Sequence, residues 1–504
     1  MKEYLIKRPM LICAILCVGI SVAGYYSRIL FCILGIFYTV IFALAILRKA
    51  NVKVYICLSA VLLMLLSTAS TLNKIQKLEN LNGKEYTLCA IAGETTFESE
   101  DYNVTVFEVT DGNSPLKNQK ISGFYEPCEL ETGKAVTLKI KIKSMGEGTY
   151  KSQNFSQDIF LSGNVYEITE SDKKDDFVLK SVARVRKYIK ETFFKNLDYN
   201  EASTLCALVF GDRSCFSGEF YNNVKGAGVS HVMVVSGMHL SILVMFFLKI
   251  TEKRLYNHYI KAFLTLTVVI CVMALCGFTM SILRAGITYV VATFAILLKR
   301  DNSPANTLGA ATVLILISSP FAILSVAFQL SLLSTFGILA VAIPINRYVK
   351  SRELIKSKFL YEIFSSAVVT LSAMLLTLPV IISVFGCVST VGVITNLLIS
   401  YAVSLALSFA LVGLAVNLVL PFAASIIFFF CDLIVKYINS IINFFGSLPI
   451  SVVFLPKYYC IFAILIIIII FYLLLACKKR IDMIKLREMN EKITKEGGKR
   501  LKWR

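Results

Sequence analysis

Two hydrophobic rhythms divide this chain. Long apolar runs recur from residue 9 to 71 and again from about 236 to 477, and a polar segment, 72–200, lies between them. Crossing about 30 Å of hydrocarbon takes roughly 20 helical residues, and most of these runs are near that length. The clearest, IFAILIIIIIFYLLLAC from Ile461 to Cys477, holds no charged residue. Residues 9–24, 29–47 and 53–71 read as three crossings. Nine more follow at 236–250, 262–278, 281–298, 305–322, 324–345, 359–384, 390–418, 422–447 and 459–477. The run 390–418 is long enough to be broken or re-entrant.

The polar segment changes period. YNVTVFEVTDG (102–112) and KAVTLKIKIKS (134–144) alternate in the manner of half-buried strands, with turn signals at Asp111-Gly112, Gly146 and Gly148. Five or six strands in a small, barrel-like domain are expected. Residues 177–196 return to a helical period, with Val178, Val182, Val185 and Ile189 on one face and Lys180, Arg184, Lys187 and Lys190 elsewhere. That suits either an interfacial amphipathic helix or a surface helix packed on the strands. The pattern thus predicts a polytopic α-helical membrane protein of about 12 transmembrane helices, with a small external β-rich domain inserted after the third helix. Its divisions are 1–71 (first helices), 72–176 (β-rich domain), 177–200 (amphipathic helix), 201–477 (second membrane domain) and 478–504 (basic cytoplasmic tail).

Composition agrees, with 56% apolar residues and a mean hydropathy of +0.70. Lys2, Lys7 and Arg8 before an apolar run resemble a signal peptide, but the second run follows at once, so the first is expected to stay as a helix. The net charge of +19 sits almost entirely in six basic clusters at 2–8, 48–53, 249–261, 299–301, 347–358 and 478–504. Alternating crossings put all six on one face, as the positive-inside rule requires of a cytoplasmic side. The charge therefore speaks for topology more than for nucleic acid. Segment 72–200 is nearly neutral, with 18 basic and 20 acidic residues.

The fourteen cysteines show no CxxC or Cys/His metal spacing. On an external face a disulfide could join Cys89 and Cys128, or involve Cys206 and Cys215.

Charged and polar groups near apolar runs are costly and are candidates for function. The densest constellation runs from Gly211 to Leu243 and carries Asp212, Arg213, Lys225, His231, Ser236 and His239 among glycines 218, 226, 228 and 237. Irregular backbone at membrane depth must line water or be packed in protein, so this stretch is either cavity-lining or an external loop leading into a span. His231 and His239 lack further ligands for a metal, while Ser236 near His239 leaves a nucleophile and base open. Arg284 sits a few residues into a span, where it either binds phosphate or snorkels to headgroups.

In order and spacing, GDRS (211–214), KGAGVSHVMVVSGMHLSIL (225–243), GFTMSILRAG (277–286) and SPFAILSVAFQLSLLSTFGILA (319–340) resemble the competence domain of the ComEC-type proteins. TLPVIISVFGCVSTVGVITNLL (377–398) is similar to a later segment of that family, and the β-rich region to its external OB-like domain. The resemblance covers most of the chain, and S-H-x(4)-S-G-x-H is its most specific part. It implies passage of single-stranded DNA across a bacterial inner membrane, with Asp212, Arg213, His231, Ser236, Gly237, His239 and Arg284 at positions that matter. It also implies an external DNA receptor and a cytoplasmic helicase-like ATPase as partners. Many members carry a metallo-β-lactamase-like nuclease domain. Three dispersed histidines cannot build its HxHxDH site, so strand degradation is expected from a separate nuclease. Nor is there a GxxxxGK[ST] loop, because Cys128 stands where ETGKAV would need its upstream glycine. No cofactor is expected. A solute transporter using Asp432 or Glu362, and an intramembrane hydrolase using Ser236, remain the alternatives.

Overall fold

The computed structural model of the chain describes residues 9–47, 52–98, 101–111, 114–128, 130–146, 148–252, 257–299, 303–470 and 472. The basic runs 2–8 and 478–504 lie outside the described residues. Two compact units emerge, one from residues up to Thr335 with Ser389–Ser451, the other from Phe336–Val388 with residues from Val452 onward.

The first unit opens with helices α1 (Pro9–Tyr26), α2 (Arg28–Leu47) and α3 (Val52–Glu79). Five strands follow: β1 (Glu85–Glu98), β2 (Asn103–Val109), β3 (Lys120–Tyr125), β4 (Ala135–Lys143) and β5 (Ile159–Glu170), with a short helix α4 (Thr149–Phe155) before the last. They close into a barrel in the order β1-β2-β3-β5-β4, β1 pairing with both β2 and β4. Only β3 and β5 run parallel. The alternation read from the sequence is the reason: in β4, Val136, Leu138, Ile140 and Ile142 point inward while Lys139, Lys141 and Lys143 point away. This strand order is that of an OB-like barrel.

The barrel is seated on helix ends. Tyr25, at the end of α1, packs edge-on to Phe155 and Phe321 at 6.1 and 5.8 Å. Asp158 accepts a bond from the Ser319 hydroxyl. Burial pushes the Asp158 carboxyl up, against the Ser319 bond and the nearby Lys120 and Lys74.

Helix α5 (Phe177–Asn196) starts where Asp176 accepts from the amides of Val178 and Leu179 at 2.8 and 3.0 Å, which is N-cap geometry. The helix packs on the strands. Its start lies against Gly133 of the barrel, and Arg186 ties three elements together. Arg186 pairs with Glu94 of β1 and donates from Nε to the Leu275 carbonyl at 2.6 Å. Gly277, at φ 66°, makes room for that pair, since a Cβ there would lie 3.2 Å from the Glu94 carboxylate.

Beyond α5 come α6 (Tyr199–Phe210), α7 (Gly218–Gly226), α8 (Gly237–Glu252), α9 (His258–Leu275), α10 (Met280–Leu297), α11 (Pro304–Ser318) and α12 (Val326–Gly337). Then follow α13 (Ile343–Ser351), α14 (Lys358–Phe385), α15 (Gly392–Asn417) and α16 (Pro421–Gly446). A π-turn at Ile338–Ala342 leads into α13, and in the second unit Gly337 meets the Ser372 backbone of α14 so closely that a Cβ would lie 2.4 Å from its carbonyl oxygen.

Among the described residues seven helices are long and apolar enough to cross a membrane, and five shorter apolar helices accompany them. Segment 390–418 forms one continuous helix, not a broken one. The α15–α16 turn lies beside α5: Asn417 Nδ2 donates to Tyr188 Oη at 3.0 Å and Ser425 Oγ donates to Asn196 Oδ1 at 3.4 Å. Helix α16 buries Phe428, Cys431, Val435, Ile438 and Ile442 in one core with α6.

Candidate functional site

The expected site residues divide into two groups. Gly211 caps α6 in the left-handed region at φ 83°, which turns the chain into the loop holding Asp212 and Arg213. Asp212 Oδ1 accepts the Ser214 amide at 2.9 Å, and Oδ2 accepts Lys190 Nζ of α5 at 3.1 Å. Burial alone would raise this carboxyl; the Ser214 and Lys190 contacts outweigh it and hold it below the usual range. Asp212 is thus a brace between α5 and the loop. Arg213 is exposed. Lys225 is exposed on α7, its ammonium 4.2 Å from the Tyr221 ring centroid. Neither reaches the second group in any contact found among the described residues.

The second group gathers at the start of α8. The backbone amide of Ser236, which precedes the helix, donates to His239 Nδ1 at 3.2 Å. His239 thereby closes the first turn as a Glu or Gln does in a capping box. The bond also sets the tautomer: with Nδ1 accepting, Nε2 carries the proton. That N–H is fully buried and has no partner among the described residues. Leaving a buried donor unmet costs about 1–3 kcal/mol, so an incoming acceptor would gain by meeting it. The contact is to the Ser236 backbone, which does not favour an activated serine hydroxyl.

Arg284 faces this turn from α10. The guanidinium is 7% exposed and lies against Gly237, where a Cβ would come 3.6 Å from Nη2. Its Nε donates to Ser331 Oγ of α12 at 2.6 Å. No carboxylate pairs with it among the described residues. A buried, unpaired cation is expensive, and here it adjoins the positive end of a helix. The arrangement suits a dispersed anion that arrives from outside the chain. Headgroup snorkelling, the other sequence reading, does not fit an arginine this enclosed.

His231 lies in the turn before α8, beside the Gly228 backbone and the Asn396 side chain of α15. Gly228, at φ 73°, and Gly226 are packing positions. A Cβ on Gly228 would lie 2.6 Å from Ser389 Oγ, and one on Gly226 the same distance from the Gly446 carbonyl. Ser331, Ser389 and Asn396 escaped the sequence reading as individuals. All three lie inside the two late segments on which the family resemblance rested, and that was the available signal.

The remaining expectations resolve as follows. Cys89 and Cys128 are free thiols. Cys89 faces Thr137 across the β1–β4 pair, with Sγ 3.8 Å from Oγ1, while Cys128 is exposed in the β3–β4 connection, so the strand pairing turns Cys89 toward β4. Asp432 pairs with Lys436 at 2.8 Å, and Lys436 also reaches Asp198 at 2.8 Å. Asp198, Glu201 and Asp432 converge, but a lysine already answers their charge. Glu362 is exposed. Asp432 Oδ1 is buried without a hydrogen-bond partner among the described residues, while its Oδ2 meets Lys436.

The family model described as Competence protein matches residues 208–480. ComE operon protein 3 of Bacillus subtilis (strain 168) is 24% identical over 345 residues, which is 66% of this chain and 42% of that protein. The chain thus spans well under half the length of this curated relative. No solved structure matches. With the match covering more than half of its residues, from the Asp212 loop through both late segments, the chain belongs to the Competence protein family as a ComEC-type protein.

Proposed function

We propose that the chain is a passage for single-stranded DNA through the bacterial cytoplasmic membrane during natural competence. The observation that carries this reading is Arg284, a buried guanidinium without a carboxylate partner among the described residues, set against Gly237 at the start of α8. A phosphodiester is a monoanion with two terminal oxygens, and a planar guanidinium meets it with parallel donors. His239 Nε2 supplies a further unmet donor two residues from Gly237. The reading gives the protein no bond-breaking step: Arg284 and His239 hold and release the strand.

The OB-like barrel lies on the external face and guides the strand toward the turn between α9 and α10, to which Arg186 ties it. With α15 and α16 taken as a hairpin packed on α5–α7, ten crossings remain of the twelve, and both termini stay cytoplasmic. An external DNA receptor delivers DNA, a separate nuclease removes one strand, and a cytoplasmic helicase-like ATPase draws the other inward. The test is import of labelled DNA into a nuclease-protected fraction. Deletion should abolish internal DNA while surface binding persists; normal import by the deletion strain overturns the reading.

A further inference from the structure

We propose that Phe97, Tyr102, Phe124 and Tyr150 form a stacking platform for the unpaired bases of single-stranded DNA. The proposal rests on the conduit reading and names where the strand is first held.

The four rings come from different parts of the barrel: the end of β1, the β1–β2 loop, β3 and the start of α4. Successive centroids lie 5.6, 6.0 and 6.0 Å apart, so the rings form one continuous row. Aromatic side chains of a barrel normally turn inward, as Phe107 and Tyr125 do here. This row does the opposite, with Phe97 51%, Tyr102 41% and Tyr150 42% exposed. Tyr150 is held in place by its hydroxyl, 2.8 Å from Ser122 Oγ of β3. Mutual ring contacts alone would account for a row of rings, but they would not leave three of these residues about half exposed.

The position identifies the occupant. In OB-type barrels the β2–β3 face, with the loops after β1 and β4, receives extended polymers, and the row lies along that path. Stacking on exposed rings suits any base, since each presents a π-face, whereas a duplex keeps those faces covered. Electrostatics adds little. Asp101, beside Tyr102, is exposed, and segment 72–200 has 18 basic against 20 acidic residues. Affinity should therefore come from the rings and depend only weakly on salt, unlike contacts that release counterions.

The experiment uses the full chain in lipid nanodiscs and fluorescein-labelled oligothymidylate, with a duplex of the same length and a chitin tetrasaccharide as parallel probes. Phe97→Ala and Tyr102→Ala should each weaken single-strand binding by about tenfold. Tyr102→Phe should bind as wild type, and Tyr102→Trp should bind more tightly. Wild-type affinity in both alanine variants overturns the platform, as does an equal loss on duplex. Preferential, ring-dependent capture of the tetrasaccharide overturns it in favour of a glycan surface. These outcomes leave the conduit reading standing or falling on import alone, because import by a deletion strain is measured without reference to the rings.

Discussion

Arg284 Nε donates to Ser331 Oγ at 2.6 Å, joining α10 to α12, and this hydroxyl is the one hydrogen-bond partner found for the guanidinium among the described residues. A neutral partner orients the group without neutralising it. The charge stays available to an anion. Ser331→Ala should therefore leave the protein folded but lower import by roughly tenfold to a hundredfold, about the worth of one hydrogen bond to a charged group. Unchanged import at equal protein level would show that the guanidinium is positioned by other means.

His239 combines two jobs that substitution can separate. Gln at this third helical position can still reach back to the Ser236 amide, as in a capping box, whereas Ala cannot. His239→Ala should lose about 1 kcal/mol of stability and His239→Gln much less, read by thermal denaturation in detergent. If the Nε2 proton serves the passage, both variants should import poorly. Wild-type import by His239→Gln would reduce His239 to a cap.

The brace between Lys190 and Asp212 makes a pH prediction. The Asp212 carboxyl is held below its ordinary value, so its contribution is fully present above the unfolded carboxylate pKa, about 4. It is lost as pH falls through the folded value. Thermal stability of wild type and Asp212→Asn should differ by about 1 kcal/mol near neutrality and converge in acid. A constant difference across that range would contradict the assignment.

Gly446 meets Asn223 at the closest approach between α16 and α7, where a Cβ would lie 2.2 Å from the Asn223 carbonyl oxygen. Gly446→Ala should destabilise by about 1–3 kcal/mol, because backbone cannot yield as a flexible side chain can. Gly218, at the start of α7, has nothing within 4 Å of its Cβ position, so Gly218→Ala should be near neutral. Equal melting of the two variants would show that the α7–α16 seam relaxes.

Much of the fold is written in local periods. The alternation in 134–144 became β4, and the helical period of 177–196 became α5, because burial of one face is decided within a few residues. The closed barrel itself was less legible, since β3 and β5 pair across an intervening strand and helix. The packing of the α15–α16 turn on α5 was not legible for a related reason: hydropathy reports that a helix avoids water, not which neighbour it leans on. At the site, Arg284, His239 and Gly237 stood out because charge and glycine are rare in apolar surroundings. Ser331 and Lys190 did not, since a serine in a span and a lysine on a surface helix are ordinary until a partner is known.

The most direct test of the central claim is nuclease-protected import in cells carrying wild type, Arg284→Ala or Arg284→Lys at matched protein level, with surface-bound DNA measured in parallel. Ala should cut internal DNA by roughly tenfold to a hundredfold, the worth of charge-assisted bonds to phosphate. Lys should restore part of it, and surface binding should not change. Wild-type import by Arg284→Ala would show that the strand passes without the buried Arg284 charge, and the proposed path would be wrong.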